Sequence, residues 1–350
     1  ATLLLLAACA PKAPPAPAAD ATTGAPVPGA PTTGASTAAP RGKGFAAEAI
    51  TGELVVSGPL KERVSTAPAD LVVYYGGEHK GSLETCGCPK NPRGSFARFG
   101  AYVEASRAAN PGVPSVVVNA GYWLQDAMGF DGAPRSDVIL GNRWMVEGSR
   151  MLGWDALNVG YPDVAGLATL PADGGLPLPL VSANVTGPGV NRWVIVERDG
   201  LRIGITGITA VGQTLSPTAA YTIAPPDTAG PVLDALAQEA DVVVLLAYQA
   251  SDAAAALAAS RSTVDVVVDA AMHRDFTESP YVGQAAWASS NFQTMRLGEL
   301  RLDLDAGRVV GGRSRHVDLD ALVPDDPKLA TLTRKARAEL DAEQKRLYGE

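Results

Sequence analysis

Short runs that are apolar from end to end recur along this chain, at Leu71-Val72-Val73-Tyr74-Tyr75, Val116-Val117-Val118, Val242-Val243-Val244-Leu245-Leu246-Ala247 and Val266-Val267-Val268. A strand that alternates apolar and polar residues can leave one face in water, whereas a strand without a polar face must be covered on both sides. Stretches of helical character lie between several of these runs. The pattern is that of an α/β protein whose sheets are sheathed by helices.

In chain order, the residues from Gly52 to Val56 read as an edge strand, and Leu71–Tyr75 as a buried strand followed by the glycine-rich loop Gly76–Gly81. A helix is expected over Phe96–Ala109, stopped by Asn110-Pro111-Gly112. Strands follow at Ser115–Ala120, Trp154–Val159 and Leu180–Val185, with a helix over Arg135–Leu152. Trp193–Ile208 reads as two strands joined by Asp199-Gly200, a dipeptide that suits the tight turn of a hairpin. Thr228–Glu239 and Ala253–Ser260 are expected helices. Asp241–Ala247, Asp265–Asp269, Gln284–Ser289 and Leu297–Leu304 are expected strands, and Pro327–Tyr348 is a charged amphipathic helix. No repeat of solenoid period is present. The organisation expected is a signal remnant at 1–9, a tether at 10–49, one folded domain at 50–322 and a carboxy-terminal helix at 323–350.

The first segment, Ala1-Thr2-Leu3-Leu4-Leu5-Leu6-Ala7-Ala8-Cys9, reads as the end of a secretory signal. Leu6-Ala7-Ala8-Cys9 resembles the bacterial lipobox, which implies lipidation at Cys9 and a lipid-anchored protein of the bacterial cell envelope, on the outer membrane or periplasmic face. Residues 10–49 are rich in Pro, Ala, Thr and Gly, too poor in bulky apolar groups to offset chain entropy, and are expected to be a disordered spacer. The net charge is −8 and carries no Lys/Arg cluster. Nucleic acid is therefore not an expected partner; the membrane, through Cys9, and a small-molecule or protein ligand are.

Two further cysteines stand in Glu84-Thr85-Cys86-Gly87-Cys88-Pro89. Thiolates with His79, Glu78 and Glu84 nearby suit a single Zn-like divalent ion. A strained local disulfide, a redox-active thiol pair and a turn whose cysteines merely pack are the other readings. Arg98, at the start of the helix from Phe96, is a candidate anion ligand or a surface side chain. His316 reads as a surface residue near the end of the domain.

The order of motifs resembles the calcineurin-like metallophosphoesterases, and among them the amino-terminal domain of bacterial periplasmic 5′-nucleotidases. The stretches that carry the resemblance are Leu152–Gly160, Pro179–Val185, Val196–Ile208, Val264–Asp269 and Leu297–Leu304. The resemblance implies a four-layer α/β/β/α sandwich of two packed sheets, with two metal ions held by Asp, His and Asn on the loops after the strands. It also implies where those ligands would fall. The Asp-x-His motif falls on Gly77-Glu78-His79, Gly-Asp on Gly121-Tyr122, and Gly-Asn-His-Glu on Gly160-Tyr161-Pro162-Asp163. A later His falls on Tyr248, and the final Gly-His-x-His on Ala270-Ala271-Met272-His273. His79 and His273 alone survive, and two imidazoles without bridging carboxylate do not hold two divalent ions.

The candidate metal ligands are thus His79, Cys86, Cys88 and His273, with no catalytic residue assigned. Tyr122, Trp123, Tyr161 and Tyr248 are expected to make a pocket aromatic and suited to a flat ligand, with Asp163 and Arg98 also lining it. Three functions remain open: a non-catalytic binding or accessory module, a divergent metal-dependent hydrolase of phosphomonoesters or nucleotides, and a thiol redox or metal-binding protein centred on Cys86 and Cys88.

Overall fold

In the computed structural model, residues 50–170, 177–217, 220–270, 281–290 and 292–349 are described. The elements begin with β1 (Ile50–Val56), α1 (Leu60–Arg63), β2 (Leu71–Gly76), α2 (Phe96–Ala109), β3 (Ser115–Asn119) and α3 (Ser136–Leu152). Then come β4 (Ala156–Asn158), α4 (Tyr161–Leu167), β5 (Leu180–Val181), β6 (Val185–Thr186), β7 (Val190–Asn191), β8 (Val194–Arg198) and β9 (Leu201–Thr209). They are followed by β10 (Thr222–Ile223), α5 (Gly230–Glu239), β11 (Val242–Tyr248), α6 (Ser251–Ala259) and β12 (Val266–Asp269). The chain ends with β13 (Tyr281–Val282), β14 (Ala285–Ser289), β15 (Arg296–Asp305), β16 (Arg308–Asp318) and α7 (Pro327–Tyr348). No helix of the described residues is long and apolar enough to cross a membrane.

Eight strands form one sheet in the order β1-β16-β15-β2-β3-β4-β5-β7, and six form another in the order β13-β14-β12-β11-β9-β8. Three apolar cores separate four layers. Leu71, Val73, Tyr75, Val118, Ile203, Val244, Val268 and Leu300 fill the space between the sheets. Val72, Tyr74, Phe99, Val117, Met145 and Leu329 join the larger sheet to α2, α3 and α7. Leu233, Leu236, Val243, Leu245 and Val267 join the smaller sheet to α5 and α6. Residues 71, 73 and 75 thus point one way and 72 and 74 the other, and both ways lie apolar cores. This is why β2 has no polar face.

The hairpin of β8 and β9 turns at Asp199 and Gly200, both at positive φ (50° and 80°), as an Asp-Gly turn of the primed type requires. The carboxy-terminal helix α7, capped by Asp326 accepting from the N–H groups of Lys328 and Leu329, packs its apolar face on the larger sheet's helix layer through Leu329, Leu332 and Ala336.

Strand β16 went unrecognised in the sequence, and His316 on it is buried rather than exposed. Its neighbour explains both. Gly298 of β15 is the register partner of Tyr75 on one side and His316 on the other. The two rings meet edge to face at 6.2 Å. A Cβ built on Gly298 falls inside the Tyr75 ring, so only glycine leaves room there. Gly298→Ala is expected to lower unfolding stability by about 1–3 kcal/mol, the usual cost of overpacking a core, measured as a shift in denaturant midpoint. A neutral result would mean that the Tyr75 ring moves freely. Burial lowers the His316 pKa to about 4, so the imidazole is neutral in the folded protein.

Candidate functional site

The parallel strands β2, β3 and β4 of one sheet and β9, β11 and β12 of the other all end toward the same rim. In open α/β sheets, ligands bind beyond the carboxyl ends of the strands. Asn158, at the end of β4, ties the two sheets together there: its Nδ2 donates to the carbonyls of Ala120 (2.9 Å) and Ile208 (3.0 Å).

The loops beyond those ends are strained. In these loops non-glycine residues take positive φ at Glu78 (53°), Lys80 (52°) and Tyr122 (58°), and again at Gln293 and Thr294 beside them. A left-handed backbone at a bulky residue persists only where its surroundings impose it. Here the imposing group is Asp163. Its side chain is fully buried at the start of α4 and accepts from the N–H groups of Tyr122 (2.8 Å), Trp123 (2.7 Å), Leu124 (2.8 Å) and Gly160 (2.8 Å). Three consecutive amides converging on one carboxylate form an anion nest. Asp163 therefore shapes the loop after β3 instead of lining an open pocket. Burial pushes its carboxyl up to about 7, with the four N–H donors pulling against that shift. The neighbouring loop follows suit, since Glu78 N–H donates to Gly121 O (2.9 Å), Lys80 N–H to Tyr122 O (3.0 Å) and Gly81 N–H to Trp123 O (3.0 Å).

Three tyrosines converge at this rim. The Tyr122 and Tyr161 rings each lie 5.7 Å from the Tyr248 ring. Tyr248 sits against the backbone of both motif glycines: a Cβ on Gly121 would come 3.0 Å from its Cβ, and one on Gly160 3.0 Å from its Cδ1. Tyr161 covers Gly212 in the same way. All three rings are half-buried. Burial raises the phenols of Tyr122 and Tyr248, and nearby Asp163 and Glu78 raise them further, so they remain protonated. Lys80 Nζ stands 5.2 Å from the Tyr122 ring centroid and 3.9 Å from Glu78 Oε2. Glu78 is 5% exposed; burial, with Asp269 adding and Lys80 opposing, pushes its carboxyl up to about 7.

The remaining candidates are dispersed. His79 is buried with its ring 4.7 Å from Phe96 and 5.8 Å from Trp154, and its Nε2 lies 3.1 Å from Thr294 Oγ1. Burial lowers its pKa to about 3. It belongs to an aromatic cluster with Phe96 and Trp154. Trp123 is fully buried in the core beneath the helices, so it does not line the pocket. The Arg98 guanidinium donates to the carbonyls of Pro92 (2.7 Å) and Leu319 (3.0 Å) and pairs with Asp325, which makes it a clamp on its loop. Cys86 is half-buried and Cys88 exposed, both free. His273 lies outside the described residues, as do Cys9, the signal remnant and the tether.

Among the described residues the donor set does not fit a dinuclear centre. Gly77, where the resemblance places a carboxylate, has no side chain, and a Cβ there would come 2.7 Å from Ser290 Oγ, which fills the space from the other sheet. Among the described residues no group of three or more His, Cys, Asp and Glu side chains is placed to hold a metal ion. Sequence reasoning placed Tyr161 at the rim but assigned Glu78 to the cysteines and passed over Lys80. The clue available was their position directly after strands.

No family model and no curated relative matches the sequence. Solved structures do. Sulfate thiohydrolase SoxB of Thermus thermophilus superposes with a TM-score of 0.65 at 16% identity, over 79% of this chain and 61% of its own. A 5′-nucleotidase precursor of Thermus thermophilus gives 0.62 at 16%, over 78% and 59%. The NAD nucleotidase of Haemophilus influenzae gives 0.61 at 16%, over 78% and 60%. The chain thus spans about three fifths of the length of these proteins. These superpositions show the fold alone: the chain has the fold of the 5′-nucleotidase-like metallophosphoesterase domain.

Proposed function

We propose that this protein is a lipid-anchored module of the bacterial cell envelope that uses the strand-end rim of a metallophosphoesterase-like domain to bind a flat ligand without hydrolysing it. The observation that carries the reading is the tyrosine cluster. Tyr122, Tyr161 and Tyr248 stand where the resemblance places metal ligands, and the Tyr248 ring packs onto the glycines from whose loops such ligands would project. Neutral phenols are poor ligands for divalent ions but good stacking surfaces. Lys80 adds a positive charge and Glu78 a buried carboxyl at the edge of the rings. The anchor and location rest on the Cys9 lipobox and the Pro/Ala/Thr-rich segment after it.

The test uses adenosine and adenosine monophosphate as flat probes, titrated calorimetrically into the full chain with chelator present. Binding is expected, and Tyr248→Leu is expected to weaken it about tenfold or more, since stacking on an aromatic side chain contributes roughly 1–3 kcal/mol per base. Absence of binding by both probes, or an affinity that Tyr248→Leu leaves unchanged, would count against the stacking site.

A further inference from the structure

We propose that Cys86 and Cys88 are a reversible dithiol–disulfide pair that exchanges with an external disulfide, low-molecular-weight or protein-borne, on the outer surface of the domain. The inference is independent of the tyrosine rim and rests on how the loop is built. Its neck is fixed. Thr85 and Gly94 form an isolated antiparallel bridge, Cys86 N–H donates to Arg93 O (2.8 Å), and Gly94 N–H donates to Leu319 O (2.9 Å). Arg93 pairs with Asp318 at 3.1 Å, and Arg98 holds Pro92 O and Leu319 O. The tip, residues 87–91, is exposed, and a Cβ on Gly87 would meet nothing within 4 Å. A rigid neck thus presents two thiols to solvent.

The two sulfurs differ. Cys86 is half-buried and its Sγ accepts from Arg93 N–H at 3.3 Å, while Cys88 is exposed. Burial raises the Cys86 thiol, but the N–H donors of Arg93 and Cys88, the Cys88 thiol and the Arg93 charge outweigh it and bring it below the ordinary value. The bond to Cys86 raises Cys88. This is the asymmetry of an attacking thiolate beside a resolving thiol. A resident metal is less suited to the loop. Zn-like ions take four donors, and no third His, Cys, Asp or Glu joins the pair among the described residues.

In the exchange, the Cys86 thiolate attacks one sulfur of the external disulfide, forming a mixed disulfide and releasing the first thiolate. Cys88 then loses its proton to solvent and attacks Cys86 Sγ, closing the Cys86–Cys88 bond and releasing the second thiolate. The pair is oxidised by two electrons, and the external disulfide is reduced to two thiols that take up protons from solvent. A disulfide between residues two apart is strained, which makes it readily reducible and suits it to turnover.

The experiment takes the full chain with Cys9→Ser, so that two thiols remain, through glutathione buffers of rising oxidised fraction, followed by alkylation and peptide mass measurement. The expected product is one peptide lighter by two hydrogens, returned to the dialkylated form by reductant. With Cys88→Ser added, glutathione is expected to accumulate on Cys86, and Cys86 in that protein to alkylate several-fold faster at neutral pH than Cys88 in the Cys86→Ser protein. Two alkylatable thiols at every buffer ratio, disulfides only between chains, or a copurifying metal ion that blocks both thiols would each overturn the proposal.

Discussion

Replacing Asp163 with alanine is expected to lower the unfolding free energy by about 4 kcal/mol or more, because four buried N–H groups lose their acceptor together and each orphaned group costs roughly 1–3 kcal/mol. The substitution does more than remove contacts. The N–H groups of Tyr122, Trp123 and Leu124 converge only while Asp163 holds them, and without it Tyr122 has no reason to keep its left-handed backbone. Chemical denaturation gives the stability loss, and tyrosine fluorescence gives the loosening of the rim. Asp163→Asn should lose about 2 kcal/mol, since its amide oxygen still accepts while its NH2 faces donors. A loss below about 1 kcal/mol for Asp163→Ala would show that the nest forms without its carboxylate.

The second large effect lies where β15 faces the helix α2. Glu299 is fully buried on β15, 3.1 Å from Arg301 Nη1 and 3.8 Å from Arg315 Nε, and it accepts from the Tyr102 hydroxyl. Arg301 is itself 1% exposed and also donates to Asn110 Oδ1 at 2.9 Å. Glu299→Ala leaves the buried Arg301 guanidinium without its carboxylate, for which the usual loss is about 3–5 kcal/mol. Thermal and urea midpoints should both fall. The double change of Glu299 and Arg301 to Leu should recover much of the loss, because a buried pair replaced by apolar groups of similar size is often near neutral. If the single change costs no more than an exposed substitution, the network does not hold β15 and β16 to the helices.

Strands β2 and β16 mark what the sequence could and could not tell. The apolar runs identified β2, β3, β11 and β12 because burial on both faces writes itself into composition. Asp199-Gly200 identified a hairpin because its turn needs two positive φ values. Strand β16, by contrast, runs Arg308-Val309-Val310-Gly311-Gly312-Arg313-Ser314-Arg315-His316-Val317-Asp318. It carries no long apolar run, and it is buried by Glu299 beside Arg315 and by Gly298 with the distant Tyr75 beside His316. The expected strand Leu180–Val185 divides into β5 and β6, with Asn184 between them bonding the Thr209 and Ala224 carbonyls.

At the rim, the replacement of ligands by Tyr122, Tyr161 and Tyr248 was legible because each follows a strand at the position the resemblance assigns. The fates of the survivors were not. Asp163 became a backbone acceptor, His79 joined Phe96 and Trp154, and Trp123 turned into the core. Each outcome depends on contacts tens of residues apart, which no local pattern encodes.

The central claim is that tyrosine rings, and not metal ions, occupy the rim where the two sheets' strand ends meet. Elemental analysis of the full chain tests it most directly, with Cys86→Ser and Cys88→Ser in place so that any ion counted belongs to the rim, after dialysis against manganese and zinc. The account predicts well below one ion per chain and no phosphomonoester hydrolysis that chelator abolishes. Two ions per chain, with hydrolysis that chelator abolishes, would contradict it.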